Sequence, residues 1–189
     1  MKIIFLFICT IFFVQLPLSA QKKHSEAYEK GIILLDLHSS IGLYKDRSFV
    51  TQRIPVFIGG DFGADKLFSI GVYGGWSQRT FKDAMFPAYD VNYYYFGGRI
   101  SAHLTEFLGK KTILKFNSRT TDVYGTFWLG RQIARQLTFS GNPFIDNGGV
   151  TNFGAYAGVR MYTMYRVGIL VEFGAGPFGI FNVGICAKI

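Results

Sequence analysis

Cysteine is nearly absent: of two in 189 residues, Cys9 falls inside the N-terminal apolar run and Cys186 stands near the C-terminus. Loss of that run would leave one thiol, which excludes an intramolecular disulfide and the disulfide-stapled secreted scaffold. Histidine is scarce too, three in all. Neither His38 nor His103 has cysteine or carboxylate at metal-ligand spacing, so no metal and no cofactor is expected. The net charge of +8 is dispersed over turns rather than gathered in a polybasic block, and without such a face a nucleic-acid partner is not expected. No segment holds a 3.6-residue apolar period for three turns, which removes the helical classes. The only long apolar run, Ile3 to Val14, breaks at Gln15 and Pro17, short of the roughly 18 residues a spanning helix requires.

That run instead has the layout of a secretory leader. Lys2 supplies a positive start, Ile3 to Val14 the apolar centre, and Leu18, Ser19 and Ala20 a small-residue exit. The expected organisation is therefore a signal peptide over 1–20, a polar and mobile periplasmic lead-in over 21–30, and one domain over 31–189. Cleavage after Ala20 would expose Gln21. Cys9 follows Ile8 rather than a small residue, so lipidation is not expected there.

The rest of the chain is rich in β formers: 20 Phe, 11 Tyr and 23 Gly punctuate runs of Val and Ile. Alternation of period two recurs eight times, over 33–44, 54–62, 67–77, 91–104, 122–130, 152–162, 167–175 and 181–189. Strands of roughly 9 to 11 residues suit a tilted membrane-spanning strand, and an even count suits a closed single-chain barrel. In each run one parity carries no ionisable residue. Val167, Ile169, Val171 and Phe173 form such a face, as do Phe181, Val183 and Ile185. The opposite parity carries Asp36, Asp61, Arg99, Asp122, Arg160, Glu172 and Lys188 among glycine, serine and tyrosine.

A soluble barrel would show water a face rich in Lys and Glu. Here that face is rich in Gly and Tyr, which fits the filled lumen of a narrow eight-stranded barrel. The apolar parity is then expected to face hydrocarbon, where an open sheet edge is not tolerated. Charges in the lumen must pair, and Asp36, Arg99, Asp122, Arg160, Glu172 and Lys188 form the expected ion-pair network. With both termini periplasmic, the external loops fall at 45–53, 78–90, 131–150 and 176–179, and the periplasmic turns at 63–66, 105–121 and 163–166. The turn over 105–121 is long for its side and is read as a short helix or a strand extension. Phe81, Phe86, Tyr89, Phe139 and Phe144 are candidates for partner contact on the external loops.

The stretch Val159, Arg160, Met161, Tyr162, then Gly168, Glu172, Gly174 and Gly176, then Asn182, Gly184, Lys188 and Ile189, resembles the porin-like outer-membrane β-barrel domain of Gram-negative bacteria, a relative of the OmpA-like and OmpX-like barrels. Two upstream segments share the likeness: Tyr93 through Gly97, Gly98 and Arg99 to His103, and Asp122 to Gly130. The resemblance implies an all-β, eight-stranded antiparallel transmembrane barrel in the cell outer membrane. It also implies an Arg and a Glu inside the lumen at Arg160 and Glu172, which are expected to pair. Members of the family usually end in an aromatic residue read by the insertion machinery; Ile189 departs from that. Expected partners are outer-membrane lipids including lipopolysaccharide, and that machinery.

The expected role is non-enzymatic: structural, adhesive or envelope-stabilising. A passive pore is the alternative, which inward Tyr73, Tyr93, Tyr95, Tyr124, Trp128 and Tyr156 oppose. A lipid A-modifying enzyme would want Ser and His at the external rim, whereas His38 is mid-strand and His103 lies at the periplasmic end. A soluble lipid carrier would stay in solution without detergent. The run Gly174 to Gly179 lacks the Lys and Ser or Thr of a phosphate loop and reads as a hairpin turn.

Overall fold

A computed structural model describes residues 26–41, 49–81, 88–105, 107–108, 117–136, 149–163, 166–176 and 179–189. The expected signal peptide, the first half of the lead-in, and Phe86, Phe139 and Phe144 lie outside the described residues. The strands are β1 (Ile33–Ile41), β2 (Phe49–Gln52), β3 (Val56–Gly63), β4 (Phe68–Phe81), β5 (Tyr89–His103), β6 (Thr121–Gln136), β7 (Val150–Tyr162), β8 (Val167–Ala175) and β9 (Phe181–Lys188).

These strands make a barrel of eight staves. All neighbours pair antiparallel, and β4 pairs with β5 as well as β3, so the sheet closes. The first and last strands meet along Leu34↔Lys188 through Ile41↔Phe181. β2 and β3 both lie against β4, at Gln52↔Arg79 and Val56↔Trp76 respectively, and so form one interrupted stave. Pro55 sits in the gap. It has no N–H to give the ladder, while its carbonyl accepts from the Ser39 hydroxyl (2.7 Å) and the Arg53 N–H turns to the Gln78 carbonyl (2.9 Å). The second run was expected as a single strand from Ile54. The difference has this local cause.

Burial follows the pleat. In β3 the pattern alternates from exposed Val56 to buried Gly63, and β8 does the same from Val167 to Glu172. The outer belt is apolar: Ile58, Val72, Phe153 and Phe173 are each more than 60% exposed on it. Val167, Ile169 and Ile185 are exposed on the same surface, with Val171, Phe181 and Val183 half-buried there. The lumen takes the opposite residues, among them Asp36, Asp61, Arg99, Asp122, Arg160, Glu172 and Lys188, all buried. Glycines give the large inward side chains their room. A Cβ on Gly59 would stand 2.6 Å from the Arg99 guanidinium, and one on Gly158 2.5 Å from the Tyr124 ring.

Four strands are longer than expected: β4 has 14 residues, β5 15, β6 16 and β7 13, beyond what crossing the hydrocarbon requires. Phe81 and Tyr89, expected in an external loop, are instead paired strand ends with rings stacked 5.6 Å apart. On this wall the outward parity changes character above the cross-strand pair Trp76↔Tyr94. Gln78 and Thr80 there donate to Asp90 (2.8 and 2.6 Å), and the Trp76 indole donates to Asn92 (3.2 Å). An indole and a phenol under a polar ladder mark the membrane–water boundary.

Candidate functional site in the barrel lumen

The lumen is filled in layers, each set by strand register. Nearest the exterior, Phe57, Tyr73, Tyr95, Trp128 and Tyr156 form a buried aromatic cluster. Trp128 anchors it, with its ring centroid 4.5 Å from Tyr73 and 6.0 Å from Tyr156. His38 stacks on Phe57 at 5.4 Å, and its Nε2 is buried without a hydrogen-bond partner among the described residues.

Beneath the aromatics lies a charged layer. Arg99 grips Asp36 through both terminal nitrogens and donates from Nε to Asp61 Oδ1 (2.5 Å). Arg160 donates to Asp61 Oδ2 (3.1 Å) and to Asp122 Oδ2 (3.2 Å). Asp61 is therefore the bridge between two arginines. It was placed on the charged parity by sequence but left out of the expected network, which only cross-barrel register could have corrected. Both guanidinia also face rings, Arg99 over Trp128 at 5.0 Å and Arg160 over Tyr124 at 4.0 Å. Charges out of water demand this density of partners, since a buried ion left alone costs several kcal/mol.

Two members of the expected network sit elsewhere. Arg160 and Glu172 were expected to pair, yet Arg160 binds aspartates, while Glu172 accepts from the Tyr124 hydroxyl (2.8 Å) and Asn182 Nδ2 (3.0 Å). The register explains it: Glu172 lies opposite Gly158, one inward step above Arg160, where Tyr124 fills the space that Gly158 leaves. Among the described residues Lys188 forms no ion pair with the carboxylates of the lumen. It donates to the Glu26 carbonyl (2.8 Å) and lies 4.7 Å over the Tyr162 ring.

At the periplasmic mouth, Ser69 of β4, His103 of β5 and Asp122 of β6 stand in line. Ser69 Oγ lies 2.9 Å from His103 Nε2, and His103 Nδ1 lies 2.9 and 3.0 Å from the Asp122 oxygens. These are the distances of a serine–histidine–aspartate array. Ser69 is completely buried, however, and Asp122 is shared with Arg160. The adjoining cavity, lined by Glu26, Tyr28, Lys66, His103 and Thr105 among others, is about 20 Å3, room for one water molecule. In this structure the array is enclosed at the mouth, with the Ser69 hydroxyl held against His103. Sequence missed it because the three residues lie on three strands and meet only through diagonal register.

The mouth is sealed by the segment preceding β1. Residues 26–30 were expected in a mobile lead-in, but Ala27 and Tyr28 are buried. Tyr28 stacks on His103 at 3.4 Å, and its hydroxyl donates toward the Asp65 and Phe68 carbonyls (2.8 and 2.5 Å). Burial, with Asp122 and Asp61 nearby, pushes that hydroxyl well above the ordinary tyrosine range. Among the described residues no group of three His, Cys, Asp or Glu is placed to hold a metal ion.

A closed eight-stave sheet with apolar residues outside and paired charges inside defines a transmembrane β-barrel of outer-membrane type. Solved structures agree at the level of fold. OprG from Pseudomonas aeruginosa matches with a TM-score of 0.53 at 6% identity, over 86% of this chain and 97% of that one. The N-terminal β-barrel domain of OprF from the same bacterium matches at 0.50 and 9%, over 86% and 100%. No protein-family model matches the chain, and no curated protein matches it. The apolar outer belt and the fold together are those of a barrel that crosses a membrane.

Proposed function

We propose that the protein is a non-enzymatic, sealed outer-membrane barrel whose role is structural, stabilising the envelope. The observation that carries this reading is the filled lumen: an aromatic cluster over a cross-barrel network of Arg99, Arg160, Asp36, Asp61 and Asp122. Ions crossing it would have to separate the arginines from the aspartates and then pass Trp128. Val167, Ile169, Val171, Phe173, Phe181, Val183 and Ile185 meet hydrocarbon in this reading. The tall wall of β4 to β6 carries exposed Arg131 and Arg135 above the boundary, a match for the phosphates of lipopolysaccharide in the outer leaflet. The insertion machinery is the second partner.

The deciding experiment pairs two measurements. Planar-bilayer conductance of the purified protein should stay at background, and cells lacking the protein should become sensitive to detergent and to large antibiotics. Discrete channels in the bilayer would replace this reading with the pore. An altered lipid A profile that tracks Ser69→Ala or His103→Ala would replace it with an enzyme.

A further inference from the structure

On the outer face of the barrel the register sets small residues side by side. The row Phe68↔Ala102↔Gly125↔Ala157↔Phe173 crosses β4 to β8, and its two phenylalanines enclose residues with little or no side chain. Beside this row, toward the exterior, Ile100 and Phe127 stand out from β5 and β6. The result is an open trough of about 590 Å3, lined by Phe68, Ile100, Ala102, Gly125, Phe127 and Ala157 among others, a volume in the range of small-molecule sites. Other outward glycines make only single dips: Gly98 lies between Val72 and Leu129, and Gly74 between Ile58 and Phe96. Gly125 does not have a positive φ, and a Cβ there would meet nothing within 4 Å. Neither its backbone nor its neighbours demand glycine, so the space lies outside the packing of the chain itself.

The depth of the trough is set by β4. Trp76 and Tyr94 mark the boundary on the external side, and from Trp76 to Phe68 the chain runs along one strand for about 26 Å. At the tilt of barrel strands that is about 20 Å down the membrane normal, past the midplane of a hydrocarbon core about 30 Å thick. The trough therefore opens to the periplasmic leaflet. At its foot stand two exposed cations, Arg119 just before β6 and Arg166 just before β8. Those strands are about 10 Å apart across β7, a gap that arginine side chains reach into from either side. The described carboxylates of this rim lie elsewhere, Glu26 and Glu29 in the segment before β1 and Asp65 in the β3–β4 turn.

We propose that the trough holds an acyl chain of an anionic phospholipid of the periplasmic leaflet, with its phosphate against Arg119 and Arg166. A second copy of the barrel fits worse. Related by a two-fold axis, two troughs would face each other across a void, and the arginines of both copies would be brought together. The site goes beyond the sealed-barrel role and rests only on the apolar belt meeting hydrocarbon, which that reading shares.

The test is native mass spectrometry of the leader-free protein from detergent micelles doped with phosphatidylglycerol or phosphatidylcholine of the same chains, activated until loosely attached lipid is stripped. Wild type should keep one phosphatidylglycerol and about threefold less phosphatidylcholine, as two exposed charge contacts would give. Gly125→Leu and Ala157→Leu fill the trough and should each lower retained phosphatidylglycerol about threefold or more, because close packing is what holds a chain within hydrocarbon. Arg119→Gln combined with Arg166→Gln should bring phosphatidylglycerol down to the phosphatidylcholine level. Ile185→Phe, on the belt at β9, should change nothing. Heat-modifiable gel migration checks the fold of each variant, and should Gly125→Leu lose it, Ala157→Leu decides. No lipid kept by wild type, equal retention of the two lipids, or undiminished retention in the filled variants overturns the proposal. So does a wild-type dimer that Gly125→Leu abolishes, which gives the trough to a second copy. Conductance of the same samples tests the sealed barrel separately: at background, it leaves that reading standing whatever becomes of the lipid.

Discussion

Arg99 shows how unforgiving the lumen is to a single change. Its guanidinium is one of two partners of Asp36, beside His38, and one of two partners of Asp61. Arg99→Met leaves buried carboxylates short of a counter-charge and should cost about 3–5 kcal/mol of unfolding free energy, read by urea titration of tryptophan fluorescence in lipid vesicles. Glu172→Gln should cost far less, because the Tyr124 hydroxyl can still donate to the amide oxygen while the new amide NH2 can donate to Asn182 once that side chain flips to present Oδ1. Equal losses for the two would mean that the arginine network does not organise the lumen. Gly59 tests the same layer from the other side. Gly59→Ala drives a methyl into the Arg99 guanidinium and should cost about 1–3 kcal/mol through overpacking, whereas Gly125→Ala, with nothing within 4 Å of the new atom, should be close to neutral in the same titration.

At the scale of the strands, alternation made inside and outside legible. Asp36, Arg99, Asp122, Arg160, Glu172 and Lys188 are all buried, as their parity implied, because a pleat permits only two sides. Pairing was not legible. Which carboxylate meets Arg160 depends on strand stagger around the barrel, and no local pattern in β7 encodes the height of Asp61 on β3. Strand ends were equally hidden where polar residues continue the ladder: Gln78, Thr80 and Asp90 read as loop yet extend β4 and β5 by mutual hydrogen bonds. Tyr28 was missed for a different reason, since its slot is built by residues 37 and 40 positions away. The outward assignment carries its own prediction. Ile185, 56% exposed and level with Leu37 on β1 and Ile169 on β8, should tolerate Ile185→Phe. Ile185→Arg should lose about 2–4 kcal/mol if it lies near the bilayer midplane, and a negligible loss in vesicle-based titrations would place that face in water.

For the molecule as a whole, the question is whether the charged layer serves stability or a moving charge. Buried ion pairs are poor stabilisers compared with well-packed apolar groups of the same volume, because desolvation offsets much of the attraction. A purely structural plug should therefore survive wholesale replacement better than piecemeal damage. The variant combining Asp36→Leu, Asp61→Leu, Asp122→Leu, Arg99→Met and Arg160→Met removes the Asp36–Arg99–Asp61–Arg160–Asp122 chain in one step. It should refold into vesicles, keep its heat-modifiable migration, and exceed Arg99→Met in stability, since no charge is left unpaired in that chain and the cost falls only on the neutral ring nitrogens of His38 and His103 that lose their aspartate partners. It should also complement a deletion strain for detergent resistance, as a sealed structural barrel requires. A variant that folds and inserts yet fails to complement would show that the paired charges do something beyond filling space, and the structural role would have to be given up in favour of one in which they move.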